Sequence, residues 1–254
     1  MSLARALVIF AVGLAAGTIN TIVGSGSLIT FPTLLALGYS PVVANVSNTV
    51  GLVPGSVSGA IGYRRELAGQ RSRLVFLGIA SAAGGITGAV LLLVLPGSVF
   101  RRIVPVLILV ACALAAAQPR LSARLARRRS ASEEAGPTHG GPALFGTVYL
   151  TGVYGGYFGA AQGVILIALL GIFLEEDLQR VNAAKNVLAA LVNGVAALLF
   201  IAAAHVAWGA AGALAVGATI GGQVGAKVGR RLPEALLRWI IVAVGTAVAV
   251  RLLV

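Results

Sequence analysis

Gly84-Gly85-Ile86-Thr87-Gly88-Ala89 is followed, 137 positions later (221 − 84), by Gly221-Gly222-Gln223-Val224-Gly225-Ala226. The same shift separates four further pairs: Pro96 and Pro233, Arg101 and Arg238, Asn45 and Asn182, Gly26 and Gly163. A match that extends over most of the chain predicts a duplicated structural unit. Each copy then contributes one half of the fold.

The composition is that of a polytopic membrane protein. The chain is 58% hydrophobic and only 10% charged, with a mean hydropathy of +0.98, whereas soluble domains are about 25% charged. The net charge of +12 would favour a nucleic-acid partner in a soluble protein. Here the basic residues lie mostly between apolar spans, so we interpret them as topology signals, with the lipid bilayer as partner and no nucleic acid. The oligomeric state stays open.

Apolar segments close to the roughly 20 residues that a bilayer requires predict an all-α fold. Residues 4–22 and 28–37 flank Gly24-Ser25-Gly26-Ser27, and we interpret them as two half-helices folded as a hairpin. The second half has a similar broken segment at 143–174, with Gly159 and Gly163 at its centre. Full spans are predicted at 42–62, 74–95, 102–117, 181–204, 207–228 and 236–253.

The domain boundaries follow from this pattern. We predict a first transmembrane repeat over 1–117, a basic and loosely structured linker over 118–142, and a second repeat over 143–254. An alternative for residues 1–17 is a signal peptide, because one Arg precedes a short apolar core. We favour a first helix, since the apolar stretch continues into the Gly-rich break.

Positive charge indicates that the second repeat is inverted. If each broken segment begins and ends on the same side of the membrane, each half crosses the bilayer three times. Because three is an odd number, the second copy starts on the opposite side and is inverted relative to the first. The linker and most basic turns then share one side, which leaves only Arg5, Arg101, Arg102 and Arg251 on the other. The positive-inside rule makes the side with the linker cytoplasmic.

Acidic and metal-binding residues are poorly placed for chemistry. All seven Asp and Glu residues fall in predicted turns or in the linker, whereas proton-driven pumps usually bury a carboxylate. His139 lies in the linker and His205 in a short turn, and no His, Cys, Asp and Glu cluster has ligand spacing. The sequence therefore predicts no metal site, no cofactor and no catalytic residues, and the protein is not expected to be an enzyme.

Polar side chains that enter the membrane cluster around the two breaks and the span after each. Amides, hydroxyls and an ammonium are donors without negative charge, and helix N-termini after the breaks add backbone N–H groups, a combination suited to a small anion. The glycines at the breaks, Gly24, Gly26, Gly159 and Gly163, are expected to act as hinges or to allow close backbone approach. The predicted substrate-binding residues are Asn20, Ser25, Ser27, Asn45, Asn48, Gln162, Asn182, Lys185 and Asn186.

Two structural alternatives stay open. Asn and Ser residues also join helices together in membranes or cap broken ends. Lys185 could reach the cytoplasmic surface, where Glu175, Glu176 and Asp177 are near in sequence, or it could supply positive charge to an anion path.

Three segments resemble a known family. Gly17-Thr18-Ile19-Asn20-Thr21-Ile22-Val23-Gly24-Ser25-Gly26-Ser27-Leu28-Ile29-Thr30-Phe31-Pro32 is similar to the first signature of the sulfite exporter TauE/SafE family of membrane transporters. The stretches 152–159 and 180–186 resemble its second-half counterparts. The resemblance implies movement of small sulfur-containing anions across the plasma membrane. Asn20 and Gly155 depart from the family pattern, in which Asp is frequent at the first of these positions, and this weakens a cation-coupling role there.

The expected function is secondary transport of sulfite, an organosulfonate or thiosulfate by alternating access, with the anion bound between inverted repeats. An uncoupled channel or facilitator on the same scaffold is the main alternative. A cation or metabolite carrier and a structural or assembly protein are further alternatives. The sequence determines neither the anion, nor the direction of flux, nor a coupling ion.

Overall fold

A computed structural model describes residues 1–129, 141–174 and 176–228, and within these ranges the chain forms helices and no strand. The helices are α1 (Leu3–Ile22), α2 (Ser27–Ala36), α3 (Pro41–Gly62), α4 (Arg71–Val94), α5 (Gly97–Arg129), α6 (Gly141–Tyr157), α7 (Gln162–Phe173), α8 (Leu178–Ala203) and α9 (Trp208–Val228). The all-helical prediction is confirmed. The predicted span at 236–253 lies outside the described residues.

Four described helices are long and apolar enough to cross a bilayer: α1, the Gly97–Leu114 part of α5, α4 and α8. The helices α3 and α9 have a similar length but carry more polar residues and glycines. The protein is therefore a polytopic helical membrane protein.

Two elements differ from the sequence prediction. The α1 helix has 20 residues and is a full-length helix, so the first broken segment pairs a long helix with the short α2 and not two half-helices. The α5 helix continues to Arg129, past the predicted end of the span at residue 117 and into the predicted linker. Its Leu, Ala and Arg residues are good helix formers, and their intrinsic preference explains the continuation.

Glycine seams join each half to the other. On α4, a Cβ added at Gly84 would lie 2.9 Å from the Val153 nitrogen of α6. On α9, a Cβ added at Gly221 would lie 2.9 Å from the Thr18 nitrogen of α1. Such contacts are too close for any side chain, so glycine lets the paired backbones touch. The opening motif of the sequence is therefore a helix-packing motif used twice.

A second pair of contacts keeps the 137-residue shift on both partners. Gly85 of α4 packs against Val192 of α8, and Gly222 of α9 packs against Gly55 of α3. Val192 follows Gly55 by 137 positions (192 − 55). The α3–α9 and α4–α8 packings thus use corresponding residues.

The two breaks begin in the same way and differ further on, because Gly26 is right-handed (φ −59°) and Ala161 is left-handed (φ 58°). Gly24 (φ +85°) follows α1, and its N–H donates to the Ile19 carbonyl at 3.1 Å. Gly159 (φ +75°) follows α6, and its N–H donates to the Tyr154 carbonyl at 3.2 Å. Gly24 and Gly159 are 135 positions apart (159 − 24), so the shift at the breaks is two residues shorter than elsewhere. Gly26 consequently corresponds to Ala161, the residue before α7, and not to Gly163.

Basic residues gather at one end of the described bundle. Tyr63, Ala183 and Ala226 form one buried cluster there, which brings the ends of α3 and α9 to the start of α8. Near this end Glu176 accepts from Arg73 (2.9 Å) and Arg180 (2.6 Å). Burial raises the pKa of the Glu176 carboxyl, but the hydrogen bonds and charges of the two arginines outweigh it and hold the pKa below its ordinary value.

Candidate functional site

The two broken segments touch at Gly24 and Gly163. The Gly163 N–H donates to the Gly24 carbonyl at 3.1 Å, and a Cβ added at Gly24 would lie 2.7 Å from the Gly163 carbonyl carbon. Neither position has room for a side chain. The predicted close backbone approach is thus located between the first and second broken segments.

A small cavity opens beside this contact. Its volume of about 20 Å³ exceeds the roughly 10–15 Å³ that one ordered water requires. Polar groups dominate its wall, and no carboxylate is among them. The lining residues are Asn20, Thr21, Gly24, Ser27, Ser56, Gly159, Gln162, Gly163, Lys185, Asn186, Ala189 and Asn193.

Lys185 supplies the positive charge of the cavity wall. Its side chain is fully buried, and its Nζ donates to the Asn20 carbonyl at 2.9 Å and to the Thr21 carbonyl at 3.2 Å. Both carbonyls belong to the last turn of α1, the negative end of that helix dipole. The ammonium therefore points into the protein at the first break, and Glu176 pairs with arginines instead.

Two amides of α8 bind the same carbonyl. Asn182 and Asn186 each donate from Nδ2 to the Thr21 carbonyl at 3.2 Å. With Lys185, three donors from α8 converge on one backbone oxygen at the end of α1. Helix ends leave carbonyls without helical partners, and α8 satisfies this one from the side.

Asparagine side chains of the first half form hydrogen bonds at both breaks. Asn20 Oδ1 accepts from the Gly26 N–H at 3.1 Å and so fixes the start of α2. On α3, Asn48 donates to Ser27 at 3.3 Å and also contacts Thr30. Asn45 donates to the carbonyl of Tyr157, the last residue of α6, at 3.0 Å. Asn45 and Asn182 thus each bind the broken helix of the opposite half.

Gln162 fills a space that a missing side chain leaves. Gly155 lies 135 positions after Asn20 and has no side chain, and a Cβ there would lie 2.6 Å from Gln162 Nε2. Gln162 in turn corresponds to the short Ser27. The first half therefore has a long residue on the helix before the break and a short one after it, and the second half has the reverse.

Four buried polar atoms near the breaks have no hydrogen-bond partner among the described residues: Ser25 Oγ, Asn45 Oδ1, Gln162 Nε2 and Asn182 Oδ1. Unsatisfied buried polar groups are rare and costly in folded proteins. Gln162, whose side chain lines the cavity and is 3% exposed, keeps an amide donor available to a ligand.

The structure brings together five of the predicted binding residues at the cavity, and the other four do not line it. Asn20, Ser27, Gln162, Lys185 and Asn186 line the cavity. Ser25, Asn45, Asn48 and Asn182 do not, and the three asparagines instead hold helix ends or wall residues. Of the glycines, Gly24, Gly159 and Gly163 line the cavity, while Gly26 packs against Ala16 and does not.

Four lining residues were not among the predicted site residues: Thr21, Ser56, Ala189 and Asn193. Thr21 acts through its backbone carbonyl, which no side-chain pattern reveals. Ser56 accepts from Asn193 at 3.4 Å, and these residues are 137 positions apart (193 − 56). Two residues related by the repeat shift can contact each other only where the two copies meet, so the repeat register itself was the available signal.

Within the described ranges, no group of three or more His, Cys, Asp or Glu side chains is arranged to hold a metal ion. The chemistry of the wall is that of hydrogen-bond donors and one positive charge. Such a wall can bind an anion.

The chain is similar in sequence to known membrane transporters. The family model described as sulfite exporter TauE/SafE matches residues 9–252. The chain is 28% identical over 247 residues to the "Probable membrane transporter protein YfcA" of Escherichia coli (strain K12), covering 97% of this chain and 88% of that protein. A "Probable membrane transporter protein" of Haemophilus influenzae is 26% identical over 203 residues, 79% of this chain and 76% of that protein.

A third relative, the "Probable membrane transporter protein ORF9" of Sinorhizobium sp, is 32% identical over 101 residues, which cover 40% of this chain and 39% of that protein. No solved structure matches the chain significantly. The family match covers nearly the whole sequence, including both breaks and the polar helices that follow them. The chain belongs to the sulfite exporter TauE/SafE family of membrane transporters.

Proposed function

We propose that the protein is a secondary transporter that moves a small sulfur-containing anion, such as sulfite, an organosulfonate or thiosulfate, across the plasma membrane. The observation that carries the proposal is the cavity at the crossing of the two breaks. Its wall combines the Lys185 ammonium with the Gln162 amide and contains no carboxylate. A buried positive wall of donors favours an anion over a cation or a neutral solute.

We infer that the two repeats are inverted and work by alternating access. The paired contacts of Gly84 with α6 and of Gly221 with α1 support a two-fold relation between the halves. In transporters built this way, one repeat rocks against the other around a site at their interface. The Gly24–Gly163 contact is the point around which such motion would occur.

Charge supports the orientation. Arg64, Arg73, Arg180 and Lys227 belong to the described end of the bundle that also holds Glu176, while Arg5 and Arg101 begin helices at the other end. By the positive-inside rule the first end is cytoplasmic, together with the linker at 118–142. Repeats over 1–117 and 143–254 then flank that linker.

The test is flux into proteoliposomes. Purified protein should accumulate labelled sulfite or thiosulfate above empty vesicles, with competition by an organosulfonate and none by a neutral analogue of the same size. Gln162→Leu removes the unpartnered amide donor and keeps a side chain of similar volume. Flux should fall by tenfold or more, chiefly through KM, because a good hydrogen bond to a charged group contributes about 1.5–3 kcal/mol.

Thr219→Val is the matched control, because Thr219 is exposed on α9 and its hydroxyl, the group that the substitution removes, donates to Ala215 of the same helix. No anion flux by wild-type protein would refute the function. Wild-type flux that Gln162→Leu leaves unchanged would refute the site. Flux that follows voltage without saturation or counterflow would identify a facilitator in place of an alternating-access transporter.

A further inference from the structure

The end of a broken membrane helix is where transporters commonly bind a coupling cation. Unwound carbonyls and the C-terminal ends of half-helices coordinate Na⁺ or H⁺ at these positions. In this protein the last turn of α1 presents the Asn20 and Thr21 carbonyls beside the break. The group that lies against both carbonyls is the Lys185 ammonium.

The ammonium has the surroundings of a bound cation. It is fully buried, and the nearby carboxylate of Glu176 pairs with Arg73 and Arg180 and not with Lys185. A buried charge without compensation is strongly unfavourable. Here the compensation comes from two carbonyl dipoles at the negative end of α1, and the Asn182 amide, with its unpartnered Oδ1, lies against the same Thr21 oxygen.

Only one of the two halves contains this group. At the 137-residue shift Lys185 corresponds to Asn48 (185 − 48), a neutral residue that bonds Ser27 and Thr30. The charge is therefore not a requirement of the repeated scaffold, which folds around Asn at the same position. It is a feature of the second half that faces the end of α1.

We propose that Lys185 is a tethered cation that occupies the position of a coupling ion, so that the protein binds its anion without Na⁺ or K⁺. Two N–H groups of the ammonium hold the α1 carbonyls, and the third is available to an anion in the cavity. The part that concerns the anion rests on the function proposed above. The part that concerns the cation position does not, because it predicts a property of the protein without substrate.

Removing the tether should create a cation site. In Lys185→Ala the Asn20 and Thr21 carbonyls keep their places, and rotation of the Asn182 amide brings Oδ1 toward the same point. The apparent Tm of the detergent-solubilised variant is measured in NaCl, KCl and choline chloride at equal ionic strength. We expect Na⁺ or K⁺ to raise it by about 2–4 °C over choline, the shift for a ligand at roughly five times its Kd.

Wild-type protein and Lys227→Ala should show no such difference among the salts. Lys227 is the only other lysine, and it is exposed in the last turn of α9, so its loss removes the same charge from the surface. A cation-specific shift in wild-type protein, or equal Tm values for Lys185→Ala in all three salts, would overturn the proposal. If Lys185→Ala does not fold, Lys185→Ser replaces it.

Transport measurements on the wild-type protein test the proposal without any variant. Wild-type flux of labelled anion should be equal in Na⁺, K⁺ and choline media, and a several-fold fall on replacing Na⁺ would overturn it. Absence of flux in every medium would instead refute the proposed function, and the Tm arm would still decide whether Lys185 occupies a cation position.

Discussion

The contact between the two breaks predicts that Gly24→Ala is far more harmful than an ordinary glycine replacement. Gly24 has φ +85°, where a non-glycine residue costs about 1–3 kcal/mol. Its new Cβ would also lie 2.7 Å from the Gly163 carbonyl carbon, and overpacking adds about 1–3 kcal/mol. Because the backbone of residue 24 fixes the position of this Cβ and its neighbour is a backbone atom, no side-chain rotation relieves the contact. The expected total loss is about 2–6 kcal/mol.

Gly38→Ala separates the two effects. Gly38 has φ +93° but nothing within 4 Å of an added Cβ, so this variant carries only the backbone strain. The assay is the apparent Tm by fluorescence-detected size-exclusion chromatography, followed by flux for the variants that remain folded. Gly24→Ala should melt below Gly38→Ala by roughly 2–12 °C, at about 2–4 °C per kcal/mol. Equal Tm values would refute the close contact of the breaks.

Three further outcomes are expected. Gly84→Ala should lower the Tm by several degrees because its Cβ would enter the backbone of α6, whereas Gly194→Ala, with open space around it, should be neutral or stabilising by up to about 1 kcal/mol; similar effects would contradict the glycine seam. Asn45→Leu with Asn182→Leu should abolish flux while each loses about 0.5–1.5 kcal/mol of stability, and unchanged flux would contradict their role in holding the broken helices. Glu176→Gln should be less stable than wild type at pH 7. The stabilisation is full only above the ordinary carboxyl pKa of about 4.5 and is lost as the pH falls through the lowered folded pKa of Glu176, so a difference that does not shrink at all as the pH is lowered below 4.5 would contradict the ion pairs.

Much of the fold follows from hydropathy and from one repeated motif. Apolar spans predicted α3, α4, α8 and α9 to within a few residues, because a bilayer fixes the length of a helix that crosses it. The glycines at 84–88 and 221–225 predicted correspondence between the halves. Hydropathy did not predict where α5 ends. The continuation of this helix to Arg129 is polar and arginine-rich, and this composition is also typical of a linker.

The candidate site was only partly predictable. Side-chain type and position beside the breaks indicated Lys185, Gln162 and Asn186. The role of the Thr21 carbonyl could not be predicted from the sequence, since every residue has a carbonyl and only the fold shows which one a helix leaves without a hydrogen bond. Asn45 and Asn182 were predicted to bind substrate because their amides are polar. The same polarity lets them bind helix ends, and sequence alone cannot separate the two roles.

The two halves share packing contacts at corresponding residues, but they contribute unequally to the cavity wall. Lys185 stands opposite Asn48 in the repeat register, and the Gly155 and Gln162 pair reverses the sizes of Asn20 and Ser27. The charge and the free amide donor of the cavity therefore both come from the second half, while the carbonyls that hold Lys185 come from the first. Any movement that separates α8 from the end of α1 must break these hydrogen bonds. In the transport cycle proposed above, an anion bound to the third N–H of Lys185 would draw the ammonium away from these two carbonyls, so anion binding and separation of the halves would act on the same contacts.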